Sequence, residues 1–229
     1  MSTATATTAE TLTAAPAFDF KKLEGRPILN QTPVGSTGQW TLEKLLSLTQ
    51  KEQEELWRQL PAPALKEMNG HYMGIGPQSD RPDIQKSYAA FMYDAHSVRG
   101  AWQGKAFHPL TATTGEGYNR WRFAGGRISR NLRMATRIDK SIIDGKPAYI
   151  LDYPAMNPRS TLVDEVRKLE EGIYFGAATV AQQGGPNGNG TRGRIDMFIL
   201  IGPTDEWVGE PYGQHMQPPP AQAATPAKK

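Results

Sequence analysis

The chain of 229 residues contains no cysteine. That absence excludes a disulfide framework, a thiolate zinc site and a cysteine nucleophile. Long apolar runs are missing too: no stretch approaches the ~18–20 residues of a membrane span. The opening MSTATATTAETLTAAPAF lacks the positive and Leu-rich regions of a signal peptide. The expectation is a soluble, cytoplasmic protein with no membrane partner. Histidine is scarce, with His71, His96, His108 and His215 as the only 4. None of them form HxH or HExxH spacing, so no metal site is expected. There is no GxSxG nucleophile elbow. The Gly-rich run at 184–190 lacks the Lys-Ser/Thr of a phosphate loop. No cofactor is expected. An excess of one charge is also lacking. Lys and Arg number 26 against 23 Asp and Glu, and a net +3 is too mild for a dedicated nucleic-acid binder.

What is present divides the chain. Residues 1–17 are Thr/Ala-rich and residues 211–229 are Pro/Ala-rich. Neither buries enough apolar surface to offset ordering entropy, so both are expected to be disordered. Residues 18–69 form an expected helical segment and 70–210 an expected barrel domain. In 41–60, Leu42, Leu45, Leu46, Leu56, Trp57 and Leu60 repeat at helical spacing. Thr49-Gln50-Lys51-Glu52 inside it matches a capping box, which predicts two helices, 41–47 and 50–60. Pro61 stops the second. A short turn at 64–68 closes on Asn69-Gly70.

After Gly70 the period changes to two. In 127–138, Ile128, Leu132, Met134 and Ile138 fall on one face with Arg130 and Thr136, and Arg127, Ser129, Asn131, Arg133, Ala135 and Arg137 fall on the other. Residues 117–124 form a partner strand across a Gly125-Gly126 turn. Further strands are predicted at 71–75, 98–107, 147–153, 172–181 and 193–201, with turns at Asp144-Gly145 and in the loop 185–191. Residues 160–169 carry a cap-like Ser160, then acids, then bases, which predicts one short helix. The fold class is therefore mainly β: a lipocalin-like antiparallel barrel with an N-terminal helical segment and one short helix between late strands.

One resemblance bears on this. Leu60-Pro61 through Met68-Asn69-Gly70-His71-Tyr72-Met73-Gly74, with Trp102-Gln103-Gly104-Lys105-Ala106-Phe107, resembles a bacterial family named for a GxWxG motif. Here Tyr72 stands where the family has Trp. Residues 145–153, 163–167 and 173–176 are similar to that family's companion domain of unknown function. The resemblance implies a lipocalin-like barrel and no established reaction, so it carries no catalytic residue over.

Candidate chemistry gathers at a few places. The segment 120–137 holds six arginines, Arg120, Arg122, Arg127, Arg130, Arg133 and Arg137. Alternation sets Arg120 and Arg122 opposite Trp121 and Phe123, which disfavours a nucleic-acid stacking surface. The plain alternative is a solvated hairpin face with Arg stems over apolar area. Arg130, placed by its spacing among Ile128, Leu132 and Met134, would need a buried partner such as Asp152, Glu116 or a ligand anion. Tyr149 and Tyr153 share a strand face, and Tyr72, Tyr118 and Tyr174 sit on other strands. As barrel lining they would orient a ring-shaped ligand; as core they would simply pack with satisfied hydroxyls. His108 would flank the strand of Trp102 and Lys105. Asp152 and Asn157 lie where Pro154 and Pro158 rigidify a strand exit.

These residues suggest a pocket for a small, largely hydrophobic metabolite with an anionic or polar end. His108, Asp152 and Tyr153 are the catalytic candidates for cofactor-independent elimination, hydration or isomerisation. Tyr72, Trp102, Lys105, Tyr118, Arg120, Arg130, Tyr149 and Asn157 are the ligand-binding candidates. Two other readings stand beside this one: a non-catalytic carrier or sensor, and an interaction module using the basic hairpin. The oligomeric state is not legible from the residues.

Overall fold

The structure is a computed structural model that describes residues 37, 39–76, 90–180 and 195–208. Both Thr/Ala- and Pro/Ala-rich tails, the loop 185–191 and His215 fall outside the described residues. Eight strands form one closed antiparallel barrel in simple meander order: β1 (Gly70–Ile75), β2 (Ala101–Pro109), β3 (Thr114–Arg122), β4 (Ile128–Lys140), β5 (Pro147–Asp152), β6 (Leu162–Glu170), β7 (Ile173–Val180) and β8 (Asp196–Asp205). β8 closes onto β1, pairing Gly74 with Leu200 and Ile75 with Ile199. Closure removes every open sheet edge.

Two short helices precede the barrel, α1 (Leu42–Ser47) and α2 (Gln50–Trp57). The predicted capping box is formed: Thr49 accepts from the Glu52 amide, and Glu52 accepts from the Thr49 amide at 2.8 Å. An eight-residue helix is marginal alone and depends on packing. Leu45 and Trp57 supply it. They join Ile75, Ile173, Phe175, Ala177, Met197, Ile199 and Ile201 in a cluster on the outer wall of β7, β8 and β1. The helices thus neither plug nor lid the barrel; they clad its seam. Arg167 fixes them further. It is fully buried, makes a paired contact with Asp144 at 2.6 and 2.8 Å, and lies 4.0 Å over the Trp57 ring. Burial pushes the Asp144 pKa up, but hydrogen bonds from Arg167, the Lys146 amide and Ser141, with the Arg167 charge, together outweigh it and hold the group at about 2.

The turn after α2 does enter the barrel mouth. Leu65 and Met68 pack with Tyr72, Phe107, Met134, Tyr149, Val166, Tyr174 and Leu200. The Tyr72 hydroxyl donates to the Glu67 carbonyl at 2.8 Å and accepts from the Asn69 amide at 3.2 Å, so it ties this stopper to β1. Edge-on ring contacts run from Tyr174 to Tyr72 at 5.5 Å and from Phe107 to Tyr149 at 5.4 Å. This end of the barrel is solid aromatic core.

Two expectations are corrected. Residues 160–169 are not a helix. β6 pairs Asp164 with Leu151 and Val166 with Tyr149, so the Ser160 and charge-order signals did not set the structure. Bulges also alter the two-residue rhythm. Leu132 sits at φ 52, and β4 uses two residues, 132 and 133, opposite the single Tyr118. Ser129 and Asn131 before the bulge share the inner face with Met134 and Thr136 after it. Arg130 pairs directly with Arg120 and faces outward with it, not into the lining.

Candidate functional site

The other half of the interior holds a polar cluster inside an aromatic shell. β2 is bulged between Trp102 and Gly104, and Gln103 is the extra residue. That bulge lets Trp102 and Lys105, three apart, both turn inward. Gly104 makes it possible: its φ is +122, and a Cβ there would lie 2.0 Å from the Tyr72 carbonyl oxygen. Asn119 comes from β3, Tyr153 from just beyond β5 and Asp164 from β6. A Cβ on Gly74 or Gly176 would meet the Trp102 or Phe198 ring, so glycine makes room for both rings across the interior.

Lys105 Nζ lies 2.8 Å from Asp164 Oδ2, 2.6 Å from the Tyr153 hydroxyl and 3.0 Å from Asn119 Oδ1. Tyr153 donates to Asp164 Oδ2 at 3.0 Å and accepts from Asn119 Nδ2 at 2.9 Å. Trp102 Nε1 donates to Asn119 Oδ1 at 3.0 Å. The ammonium also lies 4.9 Å from the Phe198 ring centre and 5.5 Å from that of Trp102, within cation–π range. Lys105 is 4% exposed and Asp164 1%. Burial pulls the Lys105 pKa below its ordinary value while Asp164 opposes the shift. Burial and the Asp164 charge together push the Tyr153 hydroxyl well above its usual range. Two buried atoms here have no partner among the described residues: Asp164 Oδ1 and the indole nitrogen of Trp121.

Of the sequence-derived candidates, Trp102, Lys105 and Tyr153 meet in this cluster. Tyr72 and Tyr149 face inward as well, but their hydroxyls are committed, to Glu67 and to Thr136 at 2.9 Å. Asn157 donates to the Arg133 and Tyr153 carbonyls and so fixes the turn that carries Tyr153. His108, Tyr118, Arg120, Arg130 and Asp152 point outward, since Phe107, Asn119 and Leu151 take the inner positions beside them. Asp152 accepts from Arg137 at 2.8 Å on the outer wall. Asn119 and Asp164 were missed. Asn119 shares the inner face of Trp121, a signal that alternation along 117–121 contains. Asp164 was hidden by reading its strand as a helix.

The outward group forms a second feature. An open cleft of about 550 Å³ is lined by Asn69, Gly70, His108, Pro203, Thr204, Asp205, Glu206 and Trp207. His108 stacks on Trp207 at 5.3 Å between ring centres, and the Tyr118 ring meets Trp207 at 4.8 Å with a tilt of 35°. Beside it, Arg120 donates to Asp205 at 2.9 Å, and His71 Nδ1 lies 3.1 Å from Arg120 Nη1, 3.0 Å from Thr204 Oγ1 and 3.2 Å from Asp205 Oδ2, so the ring shares one network with a cation and a carboxylate. Burial, then the Arg120 charge, lower the His71 pKa to about 4. Two more arginines of 120–137 are ion-paired, Arg133 with Glu116 and Arg137 with Asp139 and Asp152.

Comparison with known proteins adds little. No family model matches the chain, and no curated protein matches it. A protein from Thermomonospora curvata, known from its crystal structure, is similar at 18% sequence identity with a TM-score of 0.42, over 65% of this chain and 83% of the other. Among the described residues, no helix is long and apolar enough to cross a membrane.

Proposed function

We propose that the barrel interior binds a small, largely apolar metabolite whose polar end meets Lys105, Tyr153, Asn119 and Asp164. The cluster then moves a proton on that ligand without a cofactor, in an elimination, hydration or isomerisation. One observation carries this reading: a lysine–carboxylate pair sits buried inside the barrel, beside the rings of Trp102, Phe198 and Tyr153. Desolvating two such charges costs several kcal/mol per ion, and apolar residues of equal volume often fill such a space without loss. Fold stability alone therefore gives no reason for the pair. Asp164, paired with Lys105, is the group that accepts a proton, and Tyr153 remains protonated through neutral pH. Lys105 takes the cationic role that the sequence had suggested for Arg130. The resemblance of residues 68–74 to the GxWxG family belongs to the same proposal.

The carrier reading has its own support, because nearly every hydrogen bond of the cluster is made internally. Native mass spectrometry of protein purified from its own host tests for a co-purifying ligand. Incubating that ligand in D2O with wild type and Asp164→Asn then separates the readings. Deuterium incorporation by wild type alone supports catalysis. Binding without exchange in either protein identifies a carrier. Protein that carries no ligand, and binds none from host extract, refutes the chamber.

A further inference from the structure

The unfilled valences of the cluster specify what kind of polar end fits. An ammonium has three donors and no acceptor. Lys105 spends all three, on Asp164, Tyr153 and Asn119. Asn119 Oδ1 accepts from Lys105 and Trp102, and its amide nitrogen donates to Tyr153 and to the Leu132 carbonyl at 3.4 Å. The Tyr153 hydroxyl accepts from Lys105 and Asn119 and donates to Asp164. Asp164 Oδ2 accepts from Lys105 and Tyr153. What remains is one carboxylate oxygen, Asp164 Oδ1, buried with no donor. The second open group is a donor, Trp121 Nε1, also buried and without a partner. The Trp121 backbone lies two residues along β3 from Asn119, on the same inner face, about 7 Å away by strand rise. Both belong to the interior: Trp121 packs in the same cluster as Trp102, Tyr153 and Phe198.

We infer that the ligand of this interior presents a neutral hydrogen-bond donor, an alcohol or phenol hydroxyl or an amide N–H, to Asp164 Oδ1, with an acceptor placed for Trp121. This rests on the chamber reading and narrows it. A carboxylate or phosphate head is excluded. It would bring a second anion against Asp164 with no uncommitted cation among the residues of the cluster. The guanidinium that would have welcomed an anion, Arg130, is on the outer wall paired across from Arg120. A neutral head group with a donor and an acceptor, such as a hydroxyl, matches both kinds of open group, whereas an anion matches only the Trp121 donor. The donor also stands against the one uncommitted oxygen of the carboxylate that the proposed reaction uses as its base.

Ligand-observed NMR on the full chain at pH 7 tests this with p-cresol, toluene and p-toluate, three probes of one ring and one methyl group. The phenol is neutral and the acid ionised at that pH. The expected order is p-cresol tighter than toluene by about tenfold or more, as for a hydrogen bond to a charged group, with p-toluate weakest. In Asp164→Asn the open oxygen is replaced by an amide that can donate, so the p-cresol advantage falls and p-methylacetophenone, an acceptor alone, gains. Equal binding of p-cresol and toluene, or preference for p-toluate, overturns the inference while leaving the chamber intact. Binding of none of the three removes the chamber itself and the inference with it. The wild-type series decides the matter even where the variant fails to fold.

Discussion

Replacing Lys105 by Met should destabilise the barrel far more than the loss of one side chain suggests. Met has nearly the volume of Lys, so the main effect is electrical. Asp164 Oδ2 would keep only the Tyr153 hydroxyl, and Oδ1 already has nothing. Breaking a buried pair on one side costs about 3–5 kcal/mol, less whatever Asp164 recovers by taking up a proton. The triple variant Lys105→Met, Tyr153→Phe, Asp164→Leu removes the pair and the hydroxyl that would otherwise lose its acceptor. It should return to within about 1 kcal/mol of wild type, or exceed it. With a urea slope of about 2 kcal/mol/M, the single variant should unfold about 2 M earlier than wild type and the triple near or above it. Circular dichroism across a urea series reads both. The triple should bind none of the phenolic probes. A triple variant as weak as the single one would refute the reasoning: the charges would then be part of what holds the barrel closed, and their burial would say nothing of function.

Two further outcomes follow from groups outside the interior. His71 has a folded pKa of about 4, lowered by burial and by Arg120 beside it, with Asp205 opposing and Arg130 adding to the depression. The unfolded chain binds that proton near 6.5, so the stability difference is fully present above pH 6.5 and is lost as pH falls through 4. It amounts to about 3 kcal/mol, and the urea-derived stability of His71→Gln should lack that part of the wild-type slope between pH 6.5 and 4; parallel curves would refute it. Arg167→Met should cost about 3–5 kcal/mol by stranding Asp144, whereas Lys51→Ala, which breaks a solvent-exposed pair with Glu55 at 3.7 Å, should cost under about 0.5 kcal/mol; equal losses in thermal melts would contradict the burial argument.

Much of the architecture was legible because turn residues such as Asp144-Gly145 and Gly125-Gly126 bound short runs rich in aromatic and β-branched residues, and because Thr49–Glu52 caps a helix by local chemistry. β6 was not, and its two faces explain why. Leu162, Asp164 and Val166 face the interior, while Glu165 and Arg167 face a wall covered by α2 and the 141–146 turn. Both faces are buried and both carry charge, so no dry-and-wet alternation exists to read. Acids followed by bases then imitate a helix with its dipole satisfied. Bulges caused the second failure. One extra residue at Leu132 reverses the phase of β4, so counting back by twos from the inward Met134 carries Arg130 and Ile128 to the wrong side. The site was half legible for the same reason. Trp102, Lys105 and Tyr153 were recognised by residue type, yet their convergence depends on a bulge at Gln103 and on a strand mistaken for a helix.

The seam between the first and last strands has a consequence for how the chain is made. Every other pairing joins neighbours in sequence and can zip as hairpins while synthesis proceeds. β1 must wait for β8, and α1 and α2 find their apolar berth on β7 and β8. A ribosome-bound nascent chain therefore carries Leu45, Trp57 and Ile75 uncovered until roughly residue 200 has emerged, a long interval of greasy exposure in which holding chaperones, more than hairpin formation, decide the yield.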